Sequence, residues 1–394
     1  MIRPAAPALE DLIRDTVDLI RIDSQNPEPG EGECAAWVED RLNRGGHEVQ
    51  RQTVTPGRDN LVARLDGRGR SPRLVLLAHL DTVPVGEGWT RPALAGDVSE
   101  GRIYGRGACD MKAGLAIALN VFESAARQAA TGSAPAGDLV LCLTCDEEGP
   151  YMRGIHRLVE TGLVRDDDQV LALEPTGLRL RIAQMGLRWL EVTVHGKMAH
   201  AGRAHLGIDA NHVMARLIDG LKTEVEALPH HDPLLGRPRF TAGRVAGGVA
   251  PNVVPPSCRA ELDLRLVPPM TPEEMVELVN AVAGRTIAGF PGATYEIEPL
   301  GAARPPVRAS DDAPIVTGLR RAYRETLGTE IETGGADGHE AYTDASMVAA
   351  LTGSSSCTVF GPGSSDIAHT ADEFVPIGDI DCAARVLDRL VRDW

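Results

Sequence analysis

The 394-residue sequence predicts an α/β fold: a doubly wound, mostly parallel sheet in a larger domain, interrupted by an inserted ferredoxin-like α+β domain. Over roughly the first 180 residues, short apolar runs alternate with helical patterns, and continuous apolar runs of that kind belong to parallel strands covered on both faces. Between about 185 and 300 the pattern changes to β-α-β-β-α-β, the order of a ferredoxin-like unit. The α/β pattern then resumes. The expected organisation is therefore 1–183 and 303–394 for the discontinuous larger α/β domain and 184–302 for the insert. Two domains also suit the length, because single hydrophobic cores stop growing near 250–300 residues.

In chain order, apolar periodicity predicts helices near 9–22 and 32–45, followed by the strand "RLVLLAHLD". A helix starts at about 112, then come the strand "DLVLCLTCDEE", a helix near 153–162 and the strand "QVLALEP". The insert reads as "LRWLEVTVHG", a helix over 207–228, "FTAGRVAGG", "SCRAELDLRL", a helix over 272–288 and "ATYEIEPL". The final part holds a helix near 312–327, the turn-rich "TGGADGHE", the strand "SSSCTVFGPG" and a helix over 378–393.

Composition narrows the class. Apolar residues make up 43% and charged residues 24%, which suits a globular protein that folds by burial. No apolar run approaches the roughly 20 residues of a spanning helix, and the acidic start lacks a signal-peptide core, so a cytoplasmic protein without a membrane partner is expected. A net charge of -16 disfavours binding to a phosphate backbone, so no nucleic acid is expected. Seven cysteines, an odd number, are expected as reduced spectators, Cys142 and Cys145 among them because their C-x-x-C lies inside a strand run.

Ligands of open α/β sheets bind beyond the carboxyl ends of the strands. Here strand ends and nearby turns repeatedly present metal-type donors: His79 and Asp81, Asp110, Glu147 and Glu148, Glu174, and His369. An isolated Asp before a helix is normally a cap and an isolated His a satisfied side chain, but acids at the ends of apolar strands are costly unless paired or bound to a cation. Two histidines and several carboxylates without cysteine suit Zn²⁺, Co²⁺ or Mn²⁺. Their number exceeds the need of one tetrahedral ion and fits two ions sharing a carboxylate, as in two-metal hydrolases. The glycine-rich "GRGACDMKAG" lacks the G-K-[ST] ending of a nucleotide loop.

Seven segments, "AHLDTVP", "GRGACDMKAG", "DEEG", "LEPTG", "GKMAHAG", "PNVVPPSCRAELDLR" and "AHTADEFV", stand in the order of the M20 dinuclear-zinc metallopeptidases and deacylases, which the chain resembles over nearly its whole length. The resemblance implies that Asp110 bridges two ions, His79 and Glu174 complete one site, and Glu148 and His369 the other. It makes Glu147 the general base and Asp81 the acid that orients the His79 ring. Strand geometry alone leaves the roles of Glu147 and Glu148 interchangeable, and Asp146 reads as a turn residue. In the insert, His200 corresponds to a histidine that reaches the active site of the partner subunit in a homodimer, and Asn252 and Arg265 to substrate-binding residues. No role attaches to Asp337, His339 or Asp344, and His205, His230 and His231 are expected on the surface.

The implied activity is hydrolysis of an amide next to a free carboxylate, removing an acyl group from an N-acyl amino acid. A carboxypeptidase or dipeptidase acting on short peptides uses the same centre, and an inactive binding homologue is the remaining alternative.

Overall fold

The structure, a computed structural model, describes residues 7–28, 30–69, 72–334 and 341–394; Asp337 and His339 lie outside these. It divides into two compact units: Met1–Ala183, Arg308–Gly335 and Thr343–Trp394 form one, and Gln184–Val307 with Ala336–Tyr342 the other.

The first unit is built on a six-stranded sheet, in the order Val49–Thr55, Arg58–Leu65, Leu139–Thr144, Leu74–His79, Gln169–Ala172, Cys357–Val359. The last four strands run parallel. The first two form an antiparallel hairpin that extends the edge, so the sheet is mostly parallel. Leu74–His79 and Leu139–Thr144 are buried at every position, as their unbroken apolar runs require. Each leucine or valine so buried contributes about 1.5–3 kcal/mol relative to exposure, which makes the strand ends a rigid platform for the loops that leave them.

The helices Leu9–Arg21, Gly32–Arg44, Ala113–Ala130, Arg153–Glu160, Pro314–Leu327 and Ile377–Asp393 lie close to their expected positions. Four further features carry no clear apolar period in the sequence and fall outside its expectations. They are the edge hairpin, the short helix Asp344–Thr352 capped by Thr343, a π-turn at Ala108–Lys112, and a three-stranded sheet of Asp97–Ser99, Arg102–Tyr104 and Phe374–Pro376.

The second unit carries an antiparallel sheet in the order Arg239–Gly247, Ser257–Leu266, Gly186–His195, Thr294–Pro299. Helices Ala210–Ala227 and Pro272–Ala288 complete the ferredoxin-like β-α-β-β-α-β. Strict alternation in Ser257–Leu266 buries Cys258, Ala260, Leu262, Leu264 and Leu266 and turns Arg259, Glu261, Asp263 and Arg265 to the other face. The first helix begins at Ala210 rather than 207, because Asp209 caps it by accepting from the His212 N–H at 3.1 Å. The chain returns to the first unit at Arg308, a few residues past the expected 303. Leu187 and Arg304 exchange backbone hydrogen bonds of 2.7 and 3.2 Å, which keeps Arg304 on the second unit's sheet.

All seven cysteines are free and all except Cys382 are buried. Burial pushes the Cys142 thiol up to about 12, as befits an inert core residue.

Candidate metal centre

In the first unit the carboxyl ends of the parallel strands gather the donor residues. His79 is the last residue of its strand, Glu174 stands two residues past Ala172, and Glu147 and Glu148 come after the strand that ends at Thr144. Asp110 comes from the turn before helix Ala113–Ala130, and His369 from the loop after Cys357–Val359. His369 takes φ 64° and Asp146 φ 61°, the left-handed region where the chain turns sharply.

Asp110 stands between the two histidines. Its Oδ1 lies 3.0 Å from His79 Nε2, and its Oδ2 lies 3.3 Å from His369 Nε2. Glu174 Oε2 is 3.7 Å from His79 Nε2, and Glu148 Oε1 is 3.0 Å from His369 Nε2. Three donor groups result, each with its ligand atoms within 4.8 Å of one another: His79, Asp110 and Glu174; Asp110, Glu148 and His369; and His79, Glu147 and Glu148. The first two share Asp110.

The electrostatics are those of anions crowded out of water. Burial pushes the Glu174 carboxyl up to about 8, with the Asp110 charge adding to it. Burial likewise holds Glu147 well above the carboxylate range, and Glu148 is raised for the same reason. His369 is half exposed; its partial desolvation opposes protonation, yet Asp110 and Glu148 raise it to about 11. His79 is raised against the penalty of full burial by Glu174 and Asp110. Burial opposes ionisation of Asp110 too, but the two histidines hold its carboxyl well below its usual range. Among the described residues, four carboxylates face two imidazoles here, a donor set that fits divalent cations, whose charge compensates the crowding without protons.

Asp81 departs from the expected contact. His79 Nδ1 lies 2.9 Å from the Asp81 main-chain carbonyl, while the nearest carboxylate oxygen is 3.8 Å away. The ring is therefore oriented by the Asp81 backbone. The carboxylate accepts the main-chain N–H groups of Glu147 (3.2 Å) and Glu148 (3.1 Å) and the Asn26 Nδ2 at 2.8 Å. Below this turn Asn26 also donates to Asp146 (3.2 Å), which receives Arg58 Nη1 at 2.9 Å. Arg58 forks onto the fully buried Glu31 through Nε and Nη2. Sequence reasoning misses Asn26, Glu31 and Arg58, since each meets its partner from a distant segment and no local motif marks it.

Asp344 is buried at the first position of its helix, and its Oδ2 accepts from Thr144 Oγ1 at 2.5 Å. His200, Asn252 and Arg265 belong to the second unit. His200 is exposed and caps a short 3₁₀ turn, with Nδ1 accepting from the Gly202 N–H at 3.0 Å. The Asn252 carbonyl accepts from Ala201 N at 3.0 Å, so these two loops lie side by side. Arg265 is gripped by Asp263 through Nε (2.8 Å) and Nη2 (2.9 Å), and Asp263 also receives the Trp189 indole N–H at 3.0 Å. His205 and His231 are exposed, and His230 is half-buried.

An open α/β sheet whose strand ends converge on carboxylates, a buried imidazole (His79) and a half-exposed one (His369) has the donor set of a metal-dependent hydrolase. Residues 75–393 match the sequence profile described as Peptidase family M20/M25/M40. The chain is 32% identical over 364 residues to an acetylornithine deacetylase of Myxococcus xanthus, covering 90% of each. It is 32% identical over 338 residues to a succinyl-diaminopimelate desuccinylase of Methylorubrum extorquens, covering 79% of this chain and 84% of the relative. A tripeptidase structure from Staphylococcus aureus superposes with a TM-score of 0.80 at 22% identity, covering 98% of this chain and 99% of that one, a likeness of fold. The chain belongs to peptidase family M20/M25/M40 and is a metal-dependent amide hydrolase. Among the described residues, no helix is long and apolar enough to cross a membrane.

Proposed function

We propose that this protein removes the acyl group from an N-acyl amino acid, cleaving an amide next to a free carboxylate. The observation that carries the reading is the division of Asp110, whose two oxygens face different histidines at 3.0 and 3.3 Å. That is the arrangement of a carboxylate shared between two ion sites. His79 and Glu174 would hold one ion and Glu148 and His369 the other; Zn²⁺ suits the nitrogen and oxygen donors, with Co²⁺ or Mn²⁺ as substitutes. When bound, the ions lower the pKa of water and polarise the substrate carbonyl.

The chain's own groups do the rest. Glu147, buried and high in proton affinity, takes a proton from the attacking water and returns it to the leaving amine, a transfer that contributes about 10²–10⁴-fold. Asp81 holds that glutamate's main chain in place. His200 of the partner subunit in a homodimer would donate to the developing oxyanion. Asn252 and Arg265 would bind the substrate's carbonyl and carboxylate, Arg265 through its planar fork. These roles for the second unit, its service as lid and dimerisation domain, and a cytoplasmic site of action rest on the family pattern and on the seven free thiols.

Deacylation is favoured over peptidase action because relatives at 32% identity include a deacetylase and a desuccinylase, whereas the tripeptidase likeness is one of fold. A panel of N-acetyl, N-succinyl and N-formyl amino acids and dipeptides, assayed with Zn²⁺ or Co²⁺, tests the reading. The highest kcat/KM is expected on an N-acyl amino acid; a preference for dipeptides would replace the deacylase by a peptidase.

A further inference from the structure

The turn that carries Asp110 is held from behind by a buried ion pair with no part in the chemistry above. Glu373 is fully buried and Arg106 is 3% exposed. Glu373 Oε1 accepts the main-chain N–H groups of Cys109 (2.8 Å) and Asp110 (3.1 Å), and its Oε2 accepts from Arg106 Nη1 at 2.5 Å. Its main-chain carbonyl receives the Gly105 N–H at 2.9 Å. Arg106 Nη1 also reaches the carbonyl of Thr370, the residue after His369, at 3.4 Å. On its other side Arg106 donates to the Val85 carbonyl at 3.1 Å and lies over the Trp89 ring at 5.2 Å.

Three irregular segments meet at this pair: the loop at 85–89, the turn with Asp110, and the loop with His369. Asp110 lies at φ -121° and ψ 97°, outside helical geometry although the turn leads into a helix. The paired strands Arg102–Tyr104 and Phe374–Pro376 bring the two ligand-bearing segments side by side, but Asp110 and His369 stand in turns beyond that ladder, where side-chain hydrogen bonds fix the chain. Charge-assisted bonds from a carboxylate to main-chain N–H groups are among the strong ones, and the guanidinium fork fixes direction as well as distance. His79 and Glu174, in contrast, are placed by the strands at whose ends they stand.

We infer that the Arg106–Glu373 pair is a positioning device that sets Asp110 and the His369 loop together. It thereby governs the ion site of Asp110, Glu148 and His369 more than that of His79 and Glu174. The inference rests on the two-ion reading above. Neither residue touches substrate or reacting atoms in it; both act through the ligands they hold.

The test is calorimetric titration of the ion-free full-length protein with Zn²⁺ or Co²⁺ alone, together with the visible spectrum of bound Co²⁺. Wild type is expected to take up two ions. Glu373→Gln should weaken one of them about 10–100-fold, the usual cost of losing an outer partner, and leave the other at its wild-type affinity. The same variant should lower kcat with KM unchanged. Arg106→Lys, which keeps the charge but loses the fork, should move the same ion in the same direction by less, and it decides the matter if Glu373→Gln does not fold. Wild-type affinities for both ions in these variants would overturn the inference. So would equal weakening of both ions together with a lower thermal midpoint of the ion-free protein, the mark of a structural pair only. Uptake of a single ion by the wild type would overturn the two-ion reading itself, and the inference with it.

Discussion

Asp81 accepts the main-chain N–H of Glu147 through Oδ1 at 3.2 Å, and its Oδ2 takes that of the adjacent Glu148 at 3.1 Å. One carboxylate thus fixes the turn from which two other carboxylates diverge. Asp81→Asn puts an amide group where these N–H groups and the Asn26 amide converge, so donors face donors. A fall in kcat of about 10–100-fold is expected. Because His79 Nδ1 pairs with the Asp81 main-chain carbonyl, the ion held by His79 and Glu174 should keep its affinity. Steady-state kinetics beside calorimetry checks both halves; loss of that ion in Asp81→Asn would show that the carboxylate orients the ring after all.

Glu147→Gln removes the proton acceptor and keeps the shape of the side chain. A loss of about 10²–10⁴-fold in kcat is expected, with two ions per chain retained by elemental analysis. Near wild-type turnover in this variant would exclude Glu147 as general base, and Glu148→Gln is the control that should lose an ion.

Ion binding should be linked to protons. Burial lifts Glu174 to about 8, while Asp110 and Glu148 lift the half-exposed His369 to about 11 against partial desolvation. A cation entering below about pH 8 displaces protons from both groups, so its apparent affinity rises with pH and the slope eases once Glu174 is ionised. The ion-free protein has the opposite dependence. Both groups bind protons more tightly folded than unfolded, so its stability declines as pH rises from about 4.5, the ordinary Glu value, through 8. Titration in buffers of different ionisation heat, with calorimetric melting of the chelated protein, measures both trends. A pH-independent affinity between about 6 and 8 would contradict the assigned ligands.

His200 and Glu147 should complement each other across a dimer. His200→Ala is expected to lower kcat by about 10²–10³-fold, the cost of one oxyanion donor. Mixing it with Glu147→Gln under subunit exchange should restore activity, because one active site of each heterodimer then receives an intact Glu147 and an intact His200. No recovery in the mixture, with exchange demonstrated by mass, would place His200 outside the partner's chemistry.

The apolar runs make the central strands legible, since a strand buried on both faces needs no interruption and Leu139–Thr144 has none. The edge hairpin Val49–Leu65 is hidden because its outer strand is half exposed, "VQRQTVT", with no single period. The ligand residues stand out as acids and histidines stranded at the ends of apolar runs. Their hydrogen-bonding partners carry no such mark: Asn26 meets Asp81 across 55 positions, and Glu373 meets Asp110 across 263. Glu373 lies only four residues beyond His369, in the segment "AHTADEFV", and that proximity is the one signal available.

From sequence alone come the class of fold, the family motifs and the identities of the candidate ligands, because strand burial and metal affinity are properties of residue type and spacing. Which atom holds which group was decided by the tertiary structure. Asp81 turns its main-chain carbonyl to His79 and its carboxylate to the Glu147–Glu148 turn, and Asp110 divides its oxygens between two histidines, because loops from separate segments converge at the strand ends. Those directions depend on distances of a few tenths of an ångström between segments far apart in the chain, and periodicity along one segment carries no information about them.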